Sequence, residues 1–293
     1  MYDIEALYEA KTTEEAIRLL VEHPEASIIA GGSDVLIKIR EGDMAGCSLV
    51  SIQKVDELRG ISRDDKGTLR IGPLTSFSHI SRDPLIKAHI PVLGEAVDLI
   101  GGPQLRNIAT IGGNVCNGVT SADSASTLVA WDAVMEYRGP GGSRLVPIQE
   151  HYIAAGKVSL GPAEILTAIL IPRESYENCY GHYIKYAMRN AMDIATLGCS
   201  VNLRLSADKK TVERTRIAYG VAGPVPKRAP AAEAAANGKP VSEETVTLSA
   251  QAALGDVNPR SSWRASRELR LQLVEELAKR AFREAIKRAG GLL

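Results

Sequence analysis

Two stretches of this 293-residue chain place adjacent glycines where backbone could meet a ligand: IIAGGSDVL (28–36) and ATIGGNVCNG (109–118), about eighty residues apart. Glycine lets the main chain approach a ligand closely and adopt positive φ. Consecutive N–H groups in such a turn form a concave anion site. Ser33, Thr110 and Asn114 add neutral donors, and Asp34 is the one acid beside either glycine pair. The second stretch continues into TSADSAS (120–126), small side chains around the single acid Asp123. Neither turn fits GxGxxG, and GxxxxGK[ST] is absent, so the two familiar nucleotide motifs are disfavoured. Two such turns suit a ligand with two phosphates held between two blocks of chain; each alone also reads as a plain tight turn.

Lys plus Arg and Asp plus Glu both number 35, for zero net charge, and aromatic residues are 4%. A nucleic-acid binder is usually basic and offers stacking aromatics, so that class is disfavoured. The N-terminus MYDIEALYEAKTTEE lacks the basic and apolar regions of a secretory signal, and runs such as ILTAILIP are too short to span a bilayer. Cys47, Cys116, Cys179 and Cys199 form no CxxC pair. Reduced thiols in a cytoplasmic protein are expected, without metal or iron–sulfur ligation by this chain. The five histidines form no spaced cluster.

The elements that must position the turns read as α+β. The length suits about two domains, or three small ones, and at 45% hydrophobic the chain can bury a core. Thr12 and Glu15 match a capping box ahead of an apolar face of Ala16, Ile17, Leu19 and Leu20, and Pro24 stops that helix. SIIA (27–30) and CSLVSI (47–52) read as strands, as does TLRIGPL after the turn DDKG. TSFSHISRDPLI reads as a helix capped by Thr75 or Ser76, and PVLGEAVDLIGG as a second, opened by Pro91 and closed by Gly101. A strand pair follows around GPGG, then the strand EILTAILIP. Residues 172–178 read as a linker, dividing a first domain 1–176 (about 1–54 and 55–176) from a second, 177–293. Beyond it, HYIKYAM, LGCSVNLRLS and VERTRIAYGVAG read as an antiparallel sheet, and PAAEAAANGKP and SEETVTLSAQAAL as short helices. The last helix is expected from near Ser262, with Val274, Leu277, Ala278, Ala281, Phe282, Ala285 and Ile286 on its core face. Arg260, Arg264, Arg267 and Arg270 read as a solvated face or a partner contact.

AGGSDVL, with RNIATIGGN followed by TSADSA, resembles the FAD-binding subunits of the molybdenum hydroxylases, a family that includes xanthine and carbon monoxide dehydrogenases. The resemblance covers the whole chain. GGNVCNGVTSADSA and RSSWRASRELRL look most like the separate FAD subunit of bacterial xanthine dehydrogenases. It implies a two-subdomain FAD-binding domain of the vanillyl-alcohol-oxidase/PCMH-like type, followed by a C-terminal α+β domain. It also implies a noncovalent FAD, with neither glycine turn offering a histidine for a covalent link, and NAD+ as co-substrate. The molybdenum cofactor and [2Fe–2S] clusters would lie on a large and a small partner subunit, in a dimer of heterotrimers without membrane insertion.

By the same resemblance, Ile28, Ile29, Ala30, Gly31, Gly32, Ser33, Asp34 and Val35 would wrap one side of the FAD diphosphate. Thr110, Gly113 and Asn114 would line the other, with Cys116 near the flavin ring. Asp123 would accept hydrogen bonds from ribose or adenine; as a helix cap it needs no ligand. Leu166 would pack on adenine or ring, and Lys185 would meet the flavin's polar edge unless it is a surface lysine. Ile100 stands where some relatives carry an aromatic residue facing the ring. Leu166 and Ile100 also read as core, and Cys116 as an ordinary buried thiol. Two further readings remain open: the flavin subunit of a hydroxylase for nicotinate, aldehyde, aromatic or CO substrates, and a non-enzymatic small-ligand-binding protein.

Overall fold

The computed structural model describes residues 2–293. The first strand, Ile4–Glu9, alternates half-buried and exposed residues, as a strand with one covered face must. It runs parallel to Cys47–Ser51, which in turn runs parallel to Ser27–Ile29. The intervening helix Thr13–Glu22 begins where Thr12 Oγ1 accepts the Glu15 N–H at 3.1 Å. Glu15 reaches back to the Lys11 N–H at 2.8 Å, one residue before the partner a capping box prescribes. VLIKIR forms the helix Val35–Glu41, ended by Gly42 at φ 93°.

A five-stranded antiparallel sheet follows, in the order Ile61–Arg63, Leu69–Ile71, Ile165–Ile171, Val134–Gly139, Gly142–Pro147. Ile165–Ile171 is the central strand and is covered on both faces, which explains its unbroken apolar run. TSFSHISRDPLI gives two helices rather than one: Phe77–Arg82, capped by Ser76, and Pro84–His89, capped by Asp83 with Pro84 in its first turn.

Residues 172–178 do not form a free tether. Arg173–Tyr176 is a helical turn whose Tyr176 hydroxyl donates to Gly67 O and accepts from Arg63 Nε at 3.1 Å. Beyond it lies the second antiparallel sheet: Tyr180–Tyr186, Leu197–Leu205, Val212–Gly220 and the short Lys227–Arg228. Helices Pro230–Ala236 and Arg267–Arg288 pack against it, and Glu243–Ala252 packs on those two helices. The last helix starts five residues later than Ser262, because Ser262 bridges Ala265 and Ser266 supplies the N-cap. Its seven expected core residues are buried. Arg270 is buried too, so the basic run is not a uniform solvated face.

The α+β class therefore holds, with the two parts locked together. Helix Asp123–Ala130 packs on the second sheet, and Asn202 Nδ2 donates to Ala130 O at 3.2 Å and Ser175 O at 2.9 Å. Asp132 binds both Arg216, at 2.7 Å, and Arg228. No helix of the described residues is long and apolar enough to cross a membrane.

Candidate functional site

A cavity of about 1130 Å³ opens between the parallel sheet, the two glycine turns, helix Asp123–Ala130 and strand Tyr180–Tyr186. That is at the large end for a single small-molecule site and suits a dinucleotide. Of the sixteen residues singled out in the sequence, Ile28, Ala30, Gly31, Ser33, Asp34, Val35, Ile100, Thr110, Gly113, Asn114, Cys116, Asp123, Leu166 and Lys185 line it. Ile29 and Gly32 do not. Ile29 is paired to Ser51 within the sheet, and Gly32 serves the turn through its φ of 74°, with Leu36 packed beneath it.

The first turn is built to leave donors free. Gly31 sits so closely on the chain leading into the second turn that a Cβ there would lie 3.0 Å from the Ile108 carbonyl carbon. Among the described residues, no protein acceptor faces the backbone N–H groups of Gly31 through Val35. Buried or half-buried N–H groups are rarely left unpaired, so this run is available to an anion.

The second turn differs from expectation. It is the first turn of the helix Ile111–Cys116, and its N–H groups are already committed. Ile111 donates to Thr75 O, Gly112 to Pro73 O, Gly113 to Thr110 Oγ1 and Asn114 to Thr110 O, at 2.8 to 3.1 Å. What it offers the cavity is a flat glycine surface and side-chain donors. The Thr110 hydroxyl accepts from Gly113 and keeps its proton to donate. Asn114 Oδ1 accepts from Ser124 Oγ at 2.7 Å, which leaves its amide NH₂ free.

Asp123 and Lys185 meet at the cavity wall. Lys185 Nζ lies 2.8 Å from Asp123 Oδ2 and also donates to Leu99 O at 3.0 Å, while the Tyr183 hydroxyl donates to Asp123 Oδ1 at 2.7 Å. The side chains are 6% and 8% exposed, so Lys185 is not a surface lysine. Asp123 does not cap its helix: Ala122 is the N-cap, and no side chain bonds the open amides. Burial pushes the Asp123 carboxyl up, against the pull of Lys185 and the Tyr183 hydroxyl. Each carboxylate oxygen holds one internal donor and has a lone pair left for a ligand.

Cys116 faces the cavity as a protonated thiol, its pKa pushed up to about 12 by burial. Leu166 is 4% exposed on the central strand, and Ile100 packs on the same core from the rim. Among the described residues no three His, Cys, Asp or Glu side chains converge as metal ligands.

Sequence reasoning missed several wall and support residues. Tyr183 lies two residues before Lys185 on one strand, and the two-residue period of a strand puts both on one face; that signal was available. Met192, Asp193 and Ile194 reach the cavity from the loop between the first two strands of the second sheet. Glu164 holds the rim, accepting from Gly161 N and from Arg144 Nη2, both at 2.6 Å. No local pattern announces these contacts.

Residues 2–174 match the family described as the FAD binding domain in molybdopterin dehydrogenase, and residues 182–285 the carbon monoxide dehydrogenase flavoprotein C-terminal domain. The chain is 43% identical over 293 residues, all of both chains, to a xanthine dehydrogenase FAD-binding subunit of Escherichia coli O157:H7. It is 30% identical over 276 residues, 94% of each, to the carbon monoxide dehydrogenase medium chain of Hydrogenophaga pseudoflava. A solved structure of carbon monoxide dehydrogenase from that organism, lacking the Mo-pyranopterin moiety of its cofactor, superposes with a TM-score of 0.93 at 30% identity, covering 98% of this chain and 99% of that one.

Proposed function

This chain belongs to the FAD-binding subunits of the molybdenum hydroxylases, and from that premise we propose that it serves a xanthine dehydrogenase, carrying electrons from partner [2Fe–2S] clusters to NAD+. The observation that carries the ligand assignment is the set of unpaired N–H groups of Gly31, Ser33, Asp34 and Val35, residues that line a dinucleotide-sized cavity.

In this reading the N–H groups of Gly31 and Ser33 through Val35 take the FAD diphosphate, where aligned backbone dipoles favour negative charge. The Thr110 hydroxyl and the Asn114 amide donate from the opposite wall, and Gly113 leaves room for close approach. Lys185, fixed by Asp123 and Leu99 O, presents its charge to the polar edge of the flavin. Asp123 holds that lysine and accepts from a ligand hydroxyl or N–H. Cys116, Leu166 and Ile100 supply neutral or apolar surface to the rings. When bound, FAD supplies the conversion between one-electron carriers and a hydride acceptor; the protein positions it and sets its electrostatic surroundings. Substrate hydroxylation then belongs to a molybdenum-bearing large subunit, with a [2Fe–2S] small subunit between, assembled as a dimer of heterotrimers. Residues 1–176 form the flavin unit and 177–293 the unit that closes it with Lys185.

The test is division of labour. The flavin-loaded chain alone oxidises NADH with an artificial dye and leaves xanthine untouched; xanthine oxidation appears when the molybdenum and iron–sulfur subunits are added. Denaturing precipitation releases all the flavin. Xanthine turnover by this chain alone overturns the assignment.

A further inference from the structure

A second cavity, of about 140 Å³, shares Ser121 and Ile194 with the first. Three guanidinium groups line it, those of Arg260, Arg264 and Arg270, and no carboxylate does. Two arginines of the described chain are buried, Arg216 at 7% and Arg270 at 2% exposure. Arg216 has Asp132 at 2.7 Å. Arg270, 2% exposed, has only neutral acceptors: Thr196 O at 3.2 Å, Ser262 Oγ at 2.8 Å, and Arg260 O. A buried charge without a counter-charge is costly, and here two like charges stand beside it. Burial, with the charges of Arg260 and Arg264, holds the Arg270 guanidinium below its ordinary value. Arg264 adds a buried Nε with no acceptor. An anion in this cavity would relieve all of these at once.

The surroundings narrow the anion. At about 140 Å³ the cavity has room for a diphosphate group but not for a nucleoside as well. At its mouth stands Trp263, 76% exposed, with the Arg264 guanidinium 4.2 Å from its ring centroid. A ligand that spans the shared wall therefore has one end at the large cavity, a phosphate among the arginines, and an aromatic ring free to stack on the indole.

We propose that this cavity is the diphosphate subsite of a pyridine dinucleotide, with Arg260 and Arg264 on the phosphates and Trp263 under the adenine. The inference rests on the reading of the large cavity as the flavin site. The FAD diphosphate is assigned to the Gly31–Val35 turn, so this is a second and separate diphosphate site.

The test uses the flavin-loaded chain and two variants, Arg264→Gln and the surface variant Arg260→Gln. ADP-ribose, titrated by calorimetry, binds the parent chain and competes with NADH. In each variant its affinity falls about tenfold, the loss of one charge-assisted contact, and the KM for NADH rises in step while flavin content is unchanged. Equal ADP-ribose affinity in the parent and both variants overturns the inference, whatever NADH does. Loss of FAD from Arg264→Gln also overturns it, by assigning the cavity to the flavin's own diphosphate. Arginine-dependent ADP-ribose binding in a chain inert to NADH supports the subsite and sinks the NAD+ acceptor reading instead.

Discussion

The two glycines of the second turn should answer the same mutation with opposite signs. Gly113 is the third residue of the helix Ile111–Cys116, and a Cβ there meets only Thr110 Oγ1, at 3.2 Å. Alanine is favoured over glycine in a helix by about 1 kcal/mol. Part of that is spent as the threonine hydroxyl shifts by a few tenths of an ångström. Gly113→Ala should therefore leave the flavin-free protein as stable as the parent or about 0.5 kcal/mol more stable, a rise of about 1–2 °C in Tm. At Gly112 the added Cβ lies 2.7 Å from Pro73 O and 2.9 Å from Pro73 Cα, backbone that also accepts the Gly112 N–H at 2.8 Å. Nothing there can give cheaply, and overpacking of this kind costs roughly 1–3 kcal/mol. Gly112→Ala should thus melt several degrees lower. Flavin affinity separates the two effects: in the proposed site a Gly113 methyl would stand between the cavity wall and the diphosphate, and the same overpacking, now against ligand, should weaken FAD binding by roughly 5- to 150-fold. Thermal unfolding of the apoprotein and quenching of FAD fluorescence measure both quantities. A Gly113→Ala chain that binds FAD with parental affinity would falsify the placement of the diphosphate against this turn. Gly32 is a poorer probe: its φ of 74° makes any side chain strain the turn itself, so flavin loss there says nothing of contact.

Three other outcomes follow from the same geometry. Lys185→Met leaves the Asp123 carboxylate buried without its counter-charge and should cost about 3–5 kcal/mol in urea unfolding, whereas Asp123→Asn combined with Lys185→Met should recover much of it; strictly additive losses would rule out the pairing. The Glu164 carboxyl is held below its ordinary 4.5, first by the Arg144 hydrogen bond. Its stabilisation is thus full above that ordinary value and disappears as pH falls through the lowered one. Glu164→Gln should be less stable than the parent at pH 7, by about 1 kcal/mol given the solvent screening at Arg144, with the gap closing once pH has fallen below the lowered pKa of the carboxyl; a gap that persists in acid contradicts the ion pair. Cys116, with its pKa at about 12, should alkylate far more slowly at pH 8 than an exposed thiol, and mass mapping that finds it modified at the free-thiol rate would show that the thiol is not held in this environment.

What the sequence disclosed and what it withheld divide along one line: the span of the interaction. The core face of Arg267–Arg288, the three long strands of the second sheet and both glycine turns rest on patterns within a few residues, and each was legible. The Asp123–Lys185 pair spans sixty-two residues, and the burial of Arg270 depends on carbonyls of Thr196 and Arg260; neither leaves a local mark. The glycine pairs show the limit most sharply. In the sequence they look equivalent, each an apolar segment, two glycines and a small polar residue. Folded, one follows a strand that ends in an open turn and leaves its N–H groups without protein acceptors. The other follows an N-capping threonine and turns its N–H groups inward, onto Thr75, Pro73 and Thr110. Residue type sets what backbone is able to do, and the preceding element decides where it points. The proposed two-walled diphosphate site therefore needs only one wall of main-chain donors, provided the other wall, in this proposal Gly113 with the Thr110 hydroxyl and Asn114 amide, is flat enough to let the anion come close.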